Sequence, residues 1–143
     1  MATTRFALLK ANTRSPFHVD FDWWQQNEND WHVHLRASLC EAHQKMAAGL
    51  GAGEEIDAVD PVTAEVRQVD ALQHFLMTHC AQQPDFLDTH TALVDGVFRV
   101  LMANANDPMN SEELGARLGK SPEVVLKTIS GPRVYKGIRQ VLV

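Results

Sequence analysis

Apolar residues recur at helical spacing along much of the chain. Leu35, Leu39, Ala42 and Met46 lie four, three and four apart, which predicts a helix over residues 31–48, stopped by Gly49-Leu-Gly-Ala-Gly53. Leu72, Phe75, Leu76 and His79 predict a second helix, with Asp70 as its cap and Gln82-Gln-Pro84 as its end. Phe86, Leu93, Val97, Val100 and Leu101 predict a third, opened by Asp85, carrying its regular part over Thr89–Ala103 and closed by Asn104-Ala-Asn-Asp-Pro108. Gly96 inside it costs about 1 kcal/mol against alanine, so another element is expected to pack closely there. Between the first two helices, residues 55–60 and 65–69 alternate on either side of Pro61-Val-Thr-Ala64, the pattern of a β-hairpin. Residues 1–20 lack periodicity and read as an extended or loosely ordered arm. Asp22 and Asp30 are candidate caps for short helices carrying Trp23, Trp24 and Trp31, whose large rings must pack on something.

The last 35 residues carry the most definite pattern. Ser111 is a candidate N-cap with Glu112 and Glu113 in the first turn, and Leu114 and Leu118 face inward. Gly119-Lys-Ser121 forms a turn. Ser121 caps again with Pro122 at the first helical position, Val125 and Ile129 face inward, and Ser130-Gly131-Pro132 ends the helix. The run Leu114-Gly-Ala-Arg-Leu-Gly-Lys-Ser121 followed by Val125 and Ile129 resembles the bacterial helix-turn-helix pattern. Gly115 fills the small-residue place where two helices cross, and Gly119 opens the turn. Pro132-Arg-Val-Tyr135 and Ile138-Arg-Gln-Val-Leu-Val143 flank Lys136-Gly137, so the resemblance extends over residues 111–143 to a wing hairpin, and thus to the winged-helix superfamily. The expected fold is mainly α with small β-hairpins (α+β). It consists of an arm (1–20), a helical body (21–84) with a hairpin near 55–69, and a winged helix-turn-helix (85–143) sharing its core.

Charge sharpens this picture. Residues 1–108 carry 7 Lys/Arg and 15 Asp/Glu, a balance of −8, whereas residues 109–143 carry 6 and 3, a balance of +3. An acidic body with a basic tail is expected where only the tail meets a polyanion. Lys120, Lys127, Thr128, Arg133, Lys136 and Arg139 are the candidate DNA contacts. The second helix itself, Pro122-Glu-Val-Val-Leu-Lys-Thr128, has few groups that read base edges, and it suits a protein-docking face as well. The partners implied are therefore DNA or a protein, a second copy of the chain included. No apolar run reaches the roughly 20 residues of a membrane helix, and the start Met1–Lys10 has no signal-peptide core, so a cytoplasmic protein with reduced thiols is expected.

Two cysteines cannot make a disulfide framework, but both have histidine neighbours. Cys40-Glu-Ala-His43 sets a thiol and an imidazole three apart on one helix face, and His79-Cys80 supplies a second pair. Together they form a Cys₂His₂ set suited to a structural zinc ion. Against it, adjacent helical side chains diverge by about 100°, so a helix end or distortion is needed at His79-Cys80. Buried, inert thiols are the alternative. His32, His34 and Asp30 could form an open metal site only if that stretch were a strand. The chain has no glycine-rich phosphate loop, nucleophile elbow or zinc-protease motif, so no catalytic residue is assigned and a metal-dependent enzyme is the weaker alternative. The resemblance implies a DNA-binding transcriptional regulator, or a winged-helix interaction module.

Overall fold

The computed structural model describes residues 10–27, 30–51, 53–88 and 90–141. Residues 1–9 of the arm, Thr89 and the last two residues of the wing lie outside the described residues. The protein is mainly helical, with two small antiparallel two-stranded sheets. In chain order the elements are β1 (Phe17–Val19), α1 (Phe21–Gln26), α2 (Trp31–Ala37), α3 (Glu41–Ala47), β2 (Glu55–Val59), β3 (Val66–Asp70) and α4 (Ala71–Thr78). A 3-10 turn follows at Cys80–Gln82, then α5 (Leu93–Ala103), α6 (Ser111–Leu118), α7 (Pro122–Ile129) and β4 (Ile138–Gln140).

The stripe over 31–48 is two helices. Ser38 and Leu39 close α2 with tight backbone bonds to Leu35 and Arg36, and the Ser38 hydroxyl donates to the His34 carbonyl at 3.0 Å. The Arg36 guanidinium then donates to the carbonyls of Ala47 (3.0 Å) and Leu50 (2.9 Å), folding the end of α3 back onto α2. Cys40 becomes the N-cap of α3 instead of a mid-helix residue. The hairpin forms as expected, pairing Glu55 with Asp70 through Val59 with Val66, and Asp70 caps α4 by accepting from Gln73 N at 3.0 Å.

Two caps differ from expectation by a residue or two. Asp20, not Asp22, caps α1. Asn110, not Ser111, caps α6, because Asn110 and Glu113 make a reciprocal capping box at 2.8 and 3.0 Å while Ser111 is buried in the first turn. Residues 84–87 form turns, and the third helix is regular only from Leu93.

The wing is assembled differently from expectation. Its turn exists: Lys136 and Gly137 both have positive φ (54° and 74°), and Ile138 N donates to Tyr135 O at 2.9 Å. Residues 132–135, however, are not a strand. β4 pairs with β1 instead, Phe17 facing Gln140 and Val19 facing Ile138. Pro132 has no N–H to give a ladder. Phe17 and Val19, each 1% exposed, offer an apolar strand, fixed on its other edge by paired bonds between Phe17 and Met109 (2.8 and 2.9 Å). The end of the arm is thus a buried strand. Any side chain on Gly137 would lie 2.8 Å from the Trp24 indole nitrogen, which donates to Lys136 O at 2.9 Å.

One continuous core runs through these elements, from Cys80, Leu76 and Leu35 through Phe98 and Leu101 to Leu114, Val125, Ile138 and Phe17. Gly96 is buried where α6 crosses α5. An added Cβ there would meet a Leu118 methyl at 2.8 Å, the close packing its position in the sequence implied.

Candidate metal centre and helix-turn-helix face

Cys40, His43, His79 and Cys80 converge. Their ligand atoms all lie within 4.8 Å of one another, so the group could hold a metal ion. The Cys40 sulfur is 3.3 Å from His43 Nδ1, 3.4 Å from His79 Nδ1 and 3.5 Å from the Cys80 sulfur. Four donors on bonds of roughly 2.0–2.3 Å define a tetrahedron with edges of about 3.3–3.8 Å, close to these separations.

The backbone explains how adjacent residues share the site. α4 ends at Thr78, and His79 leaves helical geometry with φ −132° and ψ −60° before the 3-10 turn begins at Cys80. That break removes the helical divergence between neighbours, and the two side chains meet. On the opposite wall, Cys40 at the N-cap and His43 in the first turn of α3 lie on one side of the helix end.

Protonation follows the surroundings. Burial, then the neighbouring His79, lowers the pKa of His43, favouring the neutral imidazole that ligates metals. Burial, then the adjacent Cys40 thiol, pushes the Cys80 thiol up to about 11. A bound cation reverses that preference by binding the thiolate. The Gln83 side-chain amide lies 3.5 Å from His79 Nε2, the nitrogen turned away from Cys40, where an outer hydrogen bond would fix the ring. Cys40 and His79 also line a surface hollow of about 400 Å³, rimmed by Glu41, Lys45, Gln83 and Asp85.

His32 and His34 do diverge on α2, and no Asp30–His32–His34 ligand set forms. His32 is held between two carboxylates, Nδ1 2.9 Å from Asp30 and Nε2 in a short contact with Asp70. It thereby links the caps of α2 and α4, a role the sequence analysis missed. An Asp-x-His opening of a helix, with a second capping Asp elsewhere, was the available signal. Burial opposes ionisation of Asp30, but the hydrogen bonds from His32 and the charges of His32 and Arg36 outweigh it and keep the pKa low. His34 turns inward against Trp24 and Phe98.

The second feature is the helix pair. Gly119 ends α6 in the left-handed region (φ 67°), and the Ser121 hydroxyl accepts from Val124 N at 3.3 Å. A Cβ on Gly115 would sit 2.5 Å from the Lys120 carbonyl oxygen, so the crossing admits only glycine without a backbone shift. Lys120, Lys127 and Arg133 are exposed, with Arg133 lying 5.4 Å over the Tyr135 ring. Thr128 is half-buried and donates to Val124 O. Lys136 is half-buried, and Arg139 pairs with Asp20 at 3.0 Å. Val124 (49% exposed) and Tyr135 (42%) stand apolar in the same region of the chain.

Comparison of the chain with protein-family models, curated proteins and solved structures finds no match.

Proposed function

We propose that the protein is a DNA-binding regulator that uses its C-terminal helix-turn-helix, with a structural zinc ion tying its body. The observation that carries the DNA reading is the α6–Gly119–α7 pair. It has a glycine-only crossing at Gly115, with Lys120 before α7 and Lys127 along it, both in solvent. Lys120, Lys127 and Arg133 neutralise phosphates, and Lys136 and Arg139 add charge at the turn and strand beyond. Arg139 contributes less, since Asp20 already engages it. Zinc suits two thiolates and two imidazoles in a tetrahedral set, and four protein donors leave no open position for a reacting water, which favours a structural role.

The test is fluorescence anisotropy with mixed-sequence duplex DNA between about 50 and 200 mM salt, a range over which phosphate binding weakens steeply. Lys127→Ala and Arg133→Ala should each lower the slope of log affinity against log salt by about one. Absence of salt-sensitive binding, with both variants silent, overturns the DNA reading. Elemental analysis of the same sample checks zinc: one ion per chain, lost in Cys40→Ser.

A second reading rests on the exposed Val124 and Tyr135 and on Glu123, an acid facing solvent on α7. In it the helix pair docks a protein or a second copy. Light scattering would then show a salt-insensitive dimer, with no DNA binding.

A further inference from the structure

The four-residue cluster has a property that a purely structural metal site does not require. Its two sulfurs, 3.5 Å apart as a tetrahedral site already places them, are unequally accessible. Cys80 is 1% exposed, behind the site, whereas Cys40 is half-buried and lines the surface hollow. A small oxidant entering the hollow meets Cys40 first, with Cys80 positioned on its protein side. The residues that carry the sulfurs are the N-cap of α3 and the first residue of the 3-10 turn after α4. Both are element ends, where a shift of about 1.5 Å, to the roughly 2.05 Å of an S–S bond, does not have to break a run of helical hydrogen bonds.

We propose that Cys40 and Cys80 form a peroxide-oxidisable pair that exchanges the bound metal for a disulfide. This rests on the zinc part of the reading above for its metal-release half alone. Hydrogen peroxide is the oxidant. The Cys40 thiolate attacks one peroxide oxygen, the O–O bond breaks, and the departing hydroxide takes a proton to become water, leaving Cys40 as the sulfenic acid. The Cys80 sulfur then attacks the Cys40 sulfur, the S–O bond breaks, and a second water leaves. Two thiolates, one peroxide and two protons give one disulfide and two waters. Each sulfur loses one electron and the peroxide gains two. The metal changes no oxidation state. It departs as the dication because both anionic sulfur donors have been consumed, and two imidazoles hold it far less well. The same two backbone positions stay tied throughout, first through the ion and then through the covalent bond.

The experiment titrates the reduced, zinc-supplemented full-length protein with hydrogen peroxide. It reads thiol content, intact mass, a peptide map and free zinc with a chromogenic chelator. At one equivalent, the expected result is loss of both thiols, a mass lower by about 2 Da and a Cys40–Cys80 cross-linked peptide. One zinc should be released per disulfide. In Cys80→Ser, Cys40 should accumulate as a sulfenic acid that a dimedone-type reagent captures. The wild-type peptide map stands independently if that variant folds poorly. Thiols that survive a large excess of peroxide, oxidation starting at Cys80, or cross-links only between chains overturn the proposal. Protein that holds no zinc yet forms the intramolecular disulfide overturns the zinc reading and leaves the oxidisable pair standing.

Discussion

His34 shows how much one buried polar ring can set. Its ring centroid lies 4.4 Å from Phe98 and 5.9 Å from Trp24, and its side chain is only 20% exposed. Asp95 Oδ1 approaches Nε2 to 3.4 Å without the alignment of a hydrogen bond, so that nitrogen is left unsatisfied. Burial lowers the pKa of His34, the positive charges of Lys136 and Arg99 add to this, and Asp95 opposes it. The unfolded chain therefore binds a proton that the folded protein resists. The stability His34 contributes is fully present above its unfolded value of about 6.5 and is lost as pH falls from there toward the folded value. Urea melts from pH 7 to pH 5 should show wild type losing stability faster than His34→Gln, by at most about 1.4 kcal/mol per pH unit. Parallel pH profiles for the two proteins would remove His34 as the cause. In the sequence His34 could be placed only as a helical residue diverging from His32, because helical spacing tells where a residue points but not what it meets.

At the scale of elements, what was legible followed from local chemistry. The hairpin, the cap at Asp70 and the α6–turn–α7 pair each depend on residues a few positions apart, and each formed. The helix over 31–48 did not form as one piece, because the force that breaks it is not local. In an unbroken helix Arg36 and Ala47 would lie about 16 Å apart. The break lets the Arg36 guanidinium donate to the carbonyls of Ala47, which also accepts from Leu50 N, and of Leu50, just beyond the end of α3. The same break makes Cys40 an N-cap and so shapes half of the Cys/His cluster. The other half was legible as a condition: His79 and Cys80 could share a site only given a helix end or a distortion there, and α4 ends at Thr78, just before them. Arg36→Ala should cost about 2 kcal/mol in denaturant unfolding, the range for hydrogen bonds from a charged donor. It should also weaken zinc retention against a competing chelator. Arg36→Lys should recover only part of both, since an ammonium cannot reproduce the two-pronged fork. An Arg36→Ala protein as stable and as metal-retentive as wild type would show that α3 is held by its apolar face alone.

Over the whole molecule, strands β1 and β4 and the Cys/His cluster are joined by one apolar core. β1 and β4 join residues 17–19 to 138–140, a pairing that alternation along the sequence cannot identify, since it marks a strand without naming its partner. Trp24 reaches from α1 to the Lys136 carbonyl, and Leu76 and Cys80 belong to the same apolar cluster as Leu114 of α6 and Val125 of α7. A perturbation at Cys40–Cys80 is therefore expected to be felt at α6 and α7. Metal that binds only the folded state stabilises by RT ln(1 + [Zn]/Kd), about 4 kcal/mol when free zinc is a thousand times Kd. For a chain of this size that corresponds to a melting temperature lower by on the order of 10 °C once the ion is removed. Scanning calorimetry with and without a strong chelator should show one transition in both samples, shifted down as a unit, with tryptophan ellipticity and helical signal melting together. The peroxide-treated protein should melt above the chelated, reduced one, because the disulfide closes the loop between Cys40 and Cys80 and restricts the unfolded chain. Two resolved transitions in the chelated sample, with the later one carrying the helical signal, would instead mean that the helix-turn-helix stands without the metal-tied body. The long-range pairing of β1 with β4 would then serve the C-terminal unit alone.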